Sequence, residues 1–249
     1  MKPRILTISL SLSILAALSG FASPADIVPA MASLDKKYIP ALGLSGQPNQ
    51  VEKAKIAFAA FEASWDDFRQ GPAAQAGFDD EWMADLTRIG LAVDMAKSAL
   101  FVNSSAPAAH EALEAVRKAF LESRQRQKMA YFLDYLTLFH GSMEDLLADK
   151  PSAKAGEWSS SEKMAFTADL DIAIARWNKV KAMETLLPDY SLAPTAKAVY
   201  FSQWQAISSL MSGIKKALEA NDGKAFAERL AQLKPNFIKT FFLFGDFPG

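Results

Sequence analysis

Chemistry in this chain has to pass through very few side chains. Its 249 residues include two histidines and no cysteine. Both histidines head the same pattern, His110-x-x-x-Glu114 and His140-x-x-x-Glu144. Residues four apart share a helix face, so each pair offers an imidazole and a carboxylate to one ion or to each other. If the chain reverses near residue 127, His110 and Glu144 stand equidistant from the reversal, and so do Glu114 and His140. Each histidine then faces a glutamate, and the four side chains form a candidate N₂O₂ set for iron, copper, zinc or manganese. Asp134, Met143 and Asp145 are further candidate ligands near His140, with Met143 suited to Cu(I). Haem b is a weaker candidate, with His140 as one axial ligand and Met95, Met183 or Met211 as the other. If residues 108–148 are instead one continuous helix, the histidines stand about 45 Å apart and share nothing. His140 would then be a core histidine bonded to Glu144 or a carbonyl, and His110 a solvated residue.

Much other chemistry is excluded. Without cysteine there is no disulfide, thiolate metal site, c-type haem linkage or thiol nucleophile. There is no Gly-x-Ser-x-Gly elbow, His-Glu-x-x-His helix, phosphate-binding glycine loop or dinucleotide fingerprint. Arg117, Lys118, Arg124, Arg126 and Lys128 are interleaved with Glu114 and Glu122 at i,i+4 to Lys118 and Arg126, the pattern of a solvated helix face. Trp65, Trp82, Trp177 and Trp204 fall on apolar stripes and read as core. Trp158, in a Gly-Ser context, is the exception and suits either a cap on the core or a partner contact.

The amino terminus carries Lys2 and Arg4, then an uncharged, mostly apolar run from Ile5 to Leu18, then small residues. That is the plan of a secretory signal peptide spanning residues 1–25, cleaved after Ala22 or Ala25. The run is too short to span a bilayer comfortably, and no later segment is apolar enough, so the mature chain is expected in the periplasm or secreted, with no membrane span. Cleavage removes two of the 27 basic residues and none of the 28 acidic ones. The remaining acidic excess gives no electrostatic reason to expect nucleic acid as a partner.

The elements that must hold these residues are helices. Val51, Ala54, Phe58, Phe61, Trp65 and Phe68 step by threes and fours; so do Trp82 to Leu100, Leu170 to Val180, and Tyr200 to Leu218. Asn49 with Glu52, and Ser159 with Glu162, have capping-box spacing; Pro194 suits a first turn, and Asn221-Asp222-Gly223 reads as a break. In the tail, Pro235 interrupts a stripe running from Phe226 to Phe244, which predicts a helix, a break and a short second piece. The aromatic ending Phe241-Phe242-Leu243-Phe244-Gly245-Asp246-Phe247 reads as a segment folded back on the bundle, with an exposed docking patch as the alternative. Beyond helical periodicity, no repeat relates the two halves of the sequence. Together these signals predict an all-α, up-and-down helical bundle of about six or seven helices. They place it in one domain over residues 26–249, although Ala22–Phe101 and Ser159–Gly249 also read as separable lobes. The function expected is that of an exported binding protein with a transition-metal site. The competing expectation is a cofactor-free module that docks a protein partner.

Overall fold

The computed structural model describes residues 24–148 and 159–248. Most of the leader, the Lys150–Gly156 loop and Trp158 lie outside them. Every regular element among the described residues is helical. They are α1 (Pro24–Ser45), α2 (Val51–Gln70), the short α3 (Pro72–Gln75), α4 (Asp80–Phe101), α5 (Ala106–Arg126), α6 (Phe132–Ala148), α7 (Ser160–Ala182), α8 (Pro194–Glu219) and α9 (Gly223–Phe242), with a 3-10 stretch at Glu184–Tyr190 between α7 and α8. None is long and apolar enough to cross a membrane.

The nine α-helices among the described residues exceed the six or seven expected, for identifiable reasons. The short α3 has no room for a stripe. Residues 108–148 divide: α5 ends at Arg126, Lys128 adopts a left-handed conformation (φ 52°), and α6 begins at Phe132. The prolines Pro29 and Pro40 mask α1, whose Ile27, Met31, Leu34, Tyr38 and Leu42 nonetheless form a buried stripe. Pro40 lacks the N–H that would bond the Lys36 carbonyl one turn back. That carbonyl instead accepts the backbone N–H of Asp246 at 2.8 Å, and Lys37 pairs with the Asp246 carboxylate at 3.2 Å. The carboxyl-terminal tail is thus pinned to α1, with Phe244 buried against Phe132, Tyr190 and Tyr200. The tail folds back, as the first of its two readings supposed. Pro235, by contrast, lies inside a continuous α9 and breaks nothing. The Ser159–Glu162 capping box forms, whereas Asn49 takes a left-handed turn (φ 61°) and α2 starts without a side-chain cap.

Consecutive helices pack in pairs, α1 on α2, α4 on α5, α6 on α7 and α8 on α9. This order hides a repeat. In α2 the buried Ala54, Phe58, Phe61, Trp65 and Phe68 match Phe166, Leu170, Ala173, Trp177 and Val180 of α7 at one constant offset. Trp82, Ile89, Val93, Ala96 and Leu100 of α4 likewise match Tyr200, Ile207, Met211, Ile214 and Leu218 of α8. In α5, Ala109, Leu113, Val116, Phe120 and Ser123 match Phe226, Leu230, Leu233, Phe237 and Thr240 of α9. Even the turns agree: Ser104 and Asn221 are both left-handed, and Ser105 and Asp222 cap the helices that follow. The halves α1–α5 and α6–α9 therefore repeat one burial register, and their buried side chains join in one apolar cluster. The central segment is divided between the halves, with α5 in the first and α6 in the second. Because α5 and α6 pack mainly on helices of their own halves, they share few contacts with each other.

Candidate functional site

A cavity of about 740 Å³ lies at the seam between the halves. All four residues of the two His-x-x-x-Glu patterns line it: His110 and Glu114 from α5, His140 and Glu144 from α6. The chain reversal brings them to one place, but not into one ligand set. The His110 Nδ1 lies 3.0 Å from the Leu42 carbonyl, which can only accept, so that nitrogen carries the proton. His140 takes part in a separate chain. The Arg117 guanidinium, which can only donate, reaches both Glu114 and, at 2.7 Å, the His140 Nδ1. The His140 Nε2 must then carry the ring proton in the neutral imidazole, and it points to Glu144 at 3.4 Å. Lys234 closes the chain on Glu144 at 2.9 Å.

The electrostatics agree with this order. Burial lowers the His140 pKa, which favours the neutral ring. The hydrogen bond from His140, with Lys234 beside it, holds the Glu144 carboxyl down at about 2. Arg117 is only 6% exposed, and its Nε–H has no hydrogen-bond partner. Arg117 and Arg124, at 4% exposure, were expected on a solvated face. Both instead serve the interior: Arg124 donates its Nε–H to both oxygens of Asp134 at 3.0 Å and lies over the Tyr131 ring. The expected i,i+4 pairs are replaced too, with Glu114 on Arg117, Glu122 on Arg88, and Arg126 on Asp85.

Among the described residues, no three His, Asp or Glu side chains group as a metal-binding set. Asp134 is held by Arg124, Asp145 stands exposed at the cavity rim, and Met143 is fully buried in the core rather than in the cavity wall. Among the described residues no methionine lines the cavity, and both His140 nitrogens already have protein partners, so the haem arrangement lacks its second ligand there.

No protein-family model, curated protein or solved structure matches the chain. The meaning of the cavity therefore rests on its walls. Its lining mixes charged side chains with apolar ones, among them Leu42, Leu121, Leu138, Phe237, Phe241 and Phe242. Phe237 stacks on the His140 ring, with centroids 5.1 Å apart. Arg117 and Lys234 occupy matching positions of α5 and α9, so each half contributes a cation to the seam from the same register.

Sequence reasoning missed Arg117, Arg176, Lys234 and the phenylalanine wall. The signal was present in α9, where the Phe226–Phe237 stripe copies the α5 stripe and places Lys234 opposite Arg117. Phenylalanine in one copy and alanine in the other obscured it.

Proposed function

We propose that the protein is an exported binding protein that takes one small organic molecule into the cavity between its halves. The cavity itself carries this reading. Its volume lies within the roughly 300–1,000 Å³ usual for ligand pockets, and its lining combines charged and polar side chains with Phe237, Phe241 and Phe242. Export is supported by the basic start, the uncharged run from Ile5 to Leu18 and the small residues after it.

Gly141 supplies a test. It lies inside α6 beside His140, where glycine costs about 1 kcal/mol relative to alanine. A Cβ placed there would meet nothing nearer than the Arg176 guanidinium at 4.0 Å. Gly141→Trp therefore adds bulk at the cavity lining with its Cβ clear of the backbone. The uncharged dye N-phenyl-1-naphthylamine should bind the unaltered protein at one site, read by fluorescence titration, and Gly141→Trp should lose at least tenfold in affinity with its melting temperature held. Equal dye binding by the two proteins would sink the cavity reading.

One observation favours a second reading, a transition-metal site. The Arg117 guanidinium sits between Glu114 and His140, and His140 leads on to Glu144. A divalent cation displacing that guanidinium would meet the Glu114 carboxylate and the His140 Nδ1. Equilibrium dialysis against Zn²⁺ and Cu²⁺ decides it: a single site lost in His140→Ala supports the metal, and equal uptake by both proteins removes it.

A further inference from the structure

We infer that the molecule taken by the cavity is an iron porphyrin, held by a single bond from the His110 Nε2 to the metal. The inference rests on the cavity reading above and adds the chemical class of the ligand.

Charge does not choose among ligands here, because the lining carries as many carboxylates as cations. What distinguishes the cavity is one imidazole with a free lone pair. His110 donates its Nδ1 proton to the Leu42 carbonyl at 3.0 Å, so the neutral ring keeps its lone pair on Nε2. No group among the described residues bonds that nitrogen. The ring is also held in place. It lies so close to Gly46 that a Cβ there would come within 2.8 Å of its Cε1. An imidazole oriented by a carbonyl on one nitrogen and open on the other is arranged as a metal ligand. His140 offers no such lone pair, since Arg117 and Glu144 take its two nitrogens.

The rest of the coordination must come with the ligand. A bare transition-metal ion needs several protein donors, and among the described residues no three His, Asp or Glu side chains group to supply them. Glu114, one turn along from His110, is held by Arg117. An ion bound at His110 therefore arrives already chelated. A chelator that surrounds its metal leaves no position for an imidazole, whereas a planar macrocycle with four nitrogens leaves the axial positions open. The cavity volume, about 740 Å³, suits a molecule of that size. Leu121, Leu138, Ile238 and Phe242 line it and are all partly exposed, which gives the faces of the macrocycle apolar contact. Its propionates extend to the rim, where Lys118 and Lys234 stand exposed.

Two porphyrins separate the iron bond from mere occupation of the cavity. Ferric protoporphyrin IX carries the metal, and metal-free protoporphyrin IX has the same ring and propionates without it. The first is titrated by absorbance and the second by fluorescence into the full-length mature protein, Gly141→Trp and His110→Gly. The ferric porphyrin should bind one per chain with a shifted Soret band, and Gly141→Trp should weaken both porphyrins at least tenfold. His110→Gly should weaken the ferric porphyrin at least tenfold, leave the metal-free one within threefold, and regain the shifted band when free imidazole is added. Ferric binding unchanged in His110→Gly would overturn the inference. Loss of both porphyrins in that variant without rescue by imidazole would reduce His110 to a structural part and overturn it too. Failure of the ferric porphyrin to bind at the Gly141 site would overturn it while N-phenyl-1-naphthylamine binding there kept the cavity reading. Failure of the dye as well would overturn both.

Discussion

At the scale of single residues, a buried charge behaves according to what surrounds it. Arg124 and Asp134 show the paired case, since both are nearly buried and each satisfies the other. Removing one partner of such a pair costs about 3–5 kcal/mol, because the other is left charged in the interior. Arg124→Met should therefore destabilise the protein by about that much in urea unfolding, and Arg124→Met with Asp134→Leu should recover most of the loss. A double variant no more stable than the single one would show that Arg124 acts through the Tyr131 and Phe120 rings instead.

Asp35 is the opposite case. Tyr131 donates to its carboxylate, but the loss of water around it pushes its pKa up to about 6, despite the nearby Arg124 charge. An acid with a raised native pKa holds its proton more tightly when folded. The native state then binds the extra proton between about pH 4 and pH 6, and stability falls as pH rises through that window. Asp35→Asn keeps an acceptor for Tyr131 and removes the charge. It should melt higher than the unaltered protein at pH 8, by of order 1–2 kcal/mol, and match it near pH 4. Equal differences at both pH values would mean that Asp35 ionises normally. Glu144 runs the other way: its carboxyl is held at about 2, so its contribution is present above the ordinary carboxylate range and is lost as pH falls toward 2.

At the scale of elements, the helical periods were legible wherever apolar residues alternated with polar ones and no proline intervened. The α2, α4 and α8 stripes read directly. The helix α1 did not, because a helix-interior proline normally signals an end, and only the carboxyl-terminal segment reveals what replaces the lost bond at Pro40. The same missing distant context hid the site. Both histidine patterns were visible, whereas the burial of Arg117 depends on α6 and α9, which a local reading of α5 does not include. Pro40→Ala tests the tail contact directly. It restores an N–H that can reclaim the Lys36 carbonyl from Asp246. Hydrogen exchange at residues 241–248 should speed up at least tenfold, while overall stability changes by less than about 1 kcal/mol. Unchanged exchange there would assign the hold on the tail to Phe244 and Gly245. The Gly245 Cα lies so close to α1 that an added Cβ would come within 2.8 Å of Ile39.

At the scale of the whole molecule, the repeat accounts for where the cavity lies. Each half buries its own apolar stripes, and what remains between the halves is lined from both sides. The all-helical class was legible because it depends on periods, while the repeat was not, because it survives in the pattern of burial more than in residue identity. The pin between Lys36 and Asp246 has one more consequence, in the order of assembly. It joins positions 210 residues apart, from the first described helix to almost the last described residue. Contacts that close so long a loop come late and set the pace of folding. A chain emerging amino end first can form α1 early, but its last lock must wait until the final residues arrive. Until then the seam is unclosed and its phenylalanine wall unbuilt, so a chain truncated by a few residues should lose its ligand before it loses its helices.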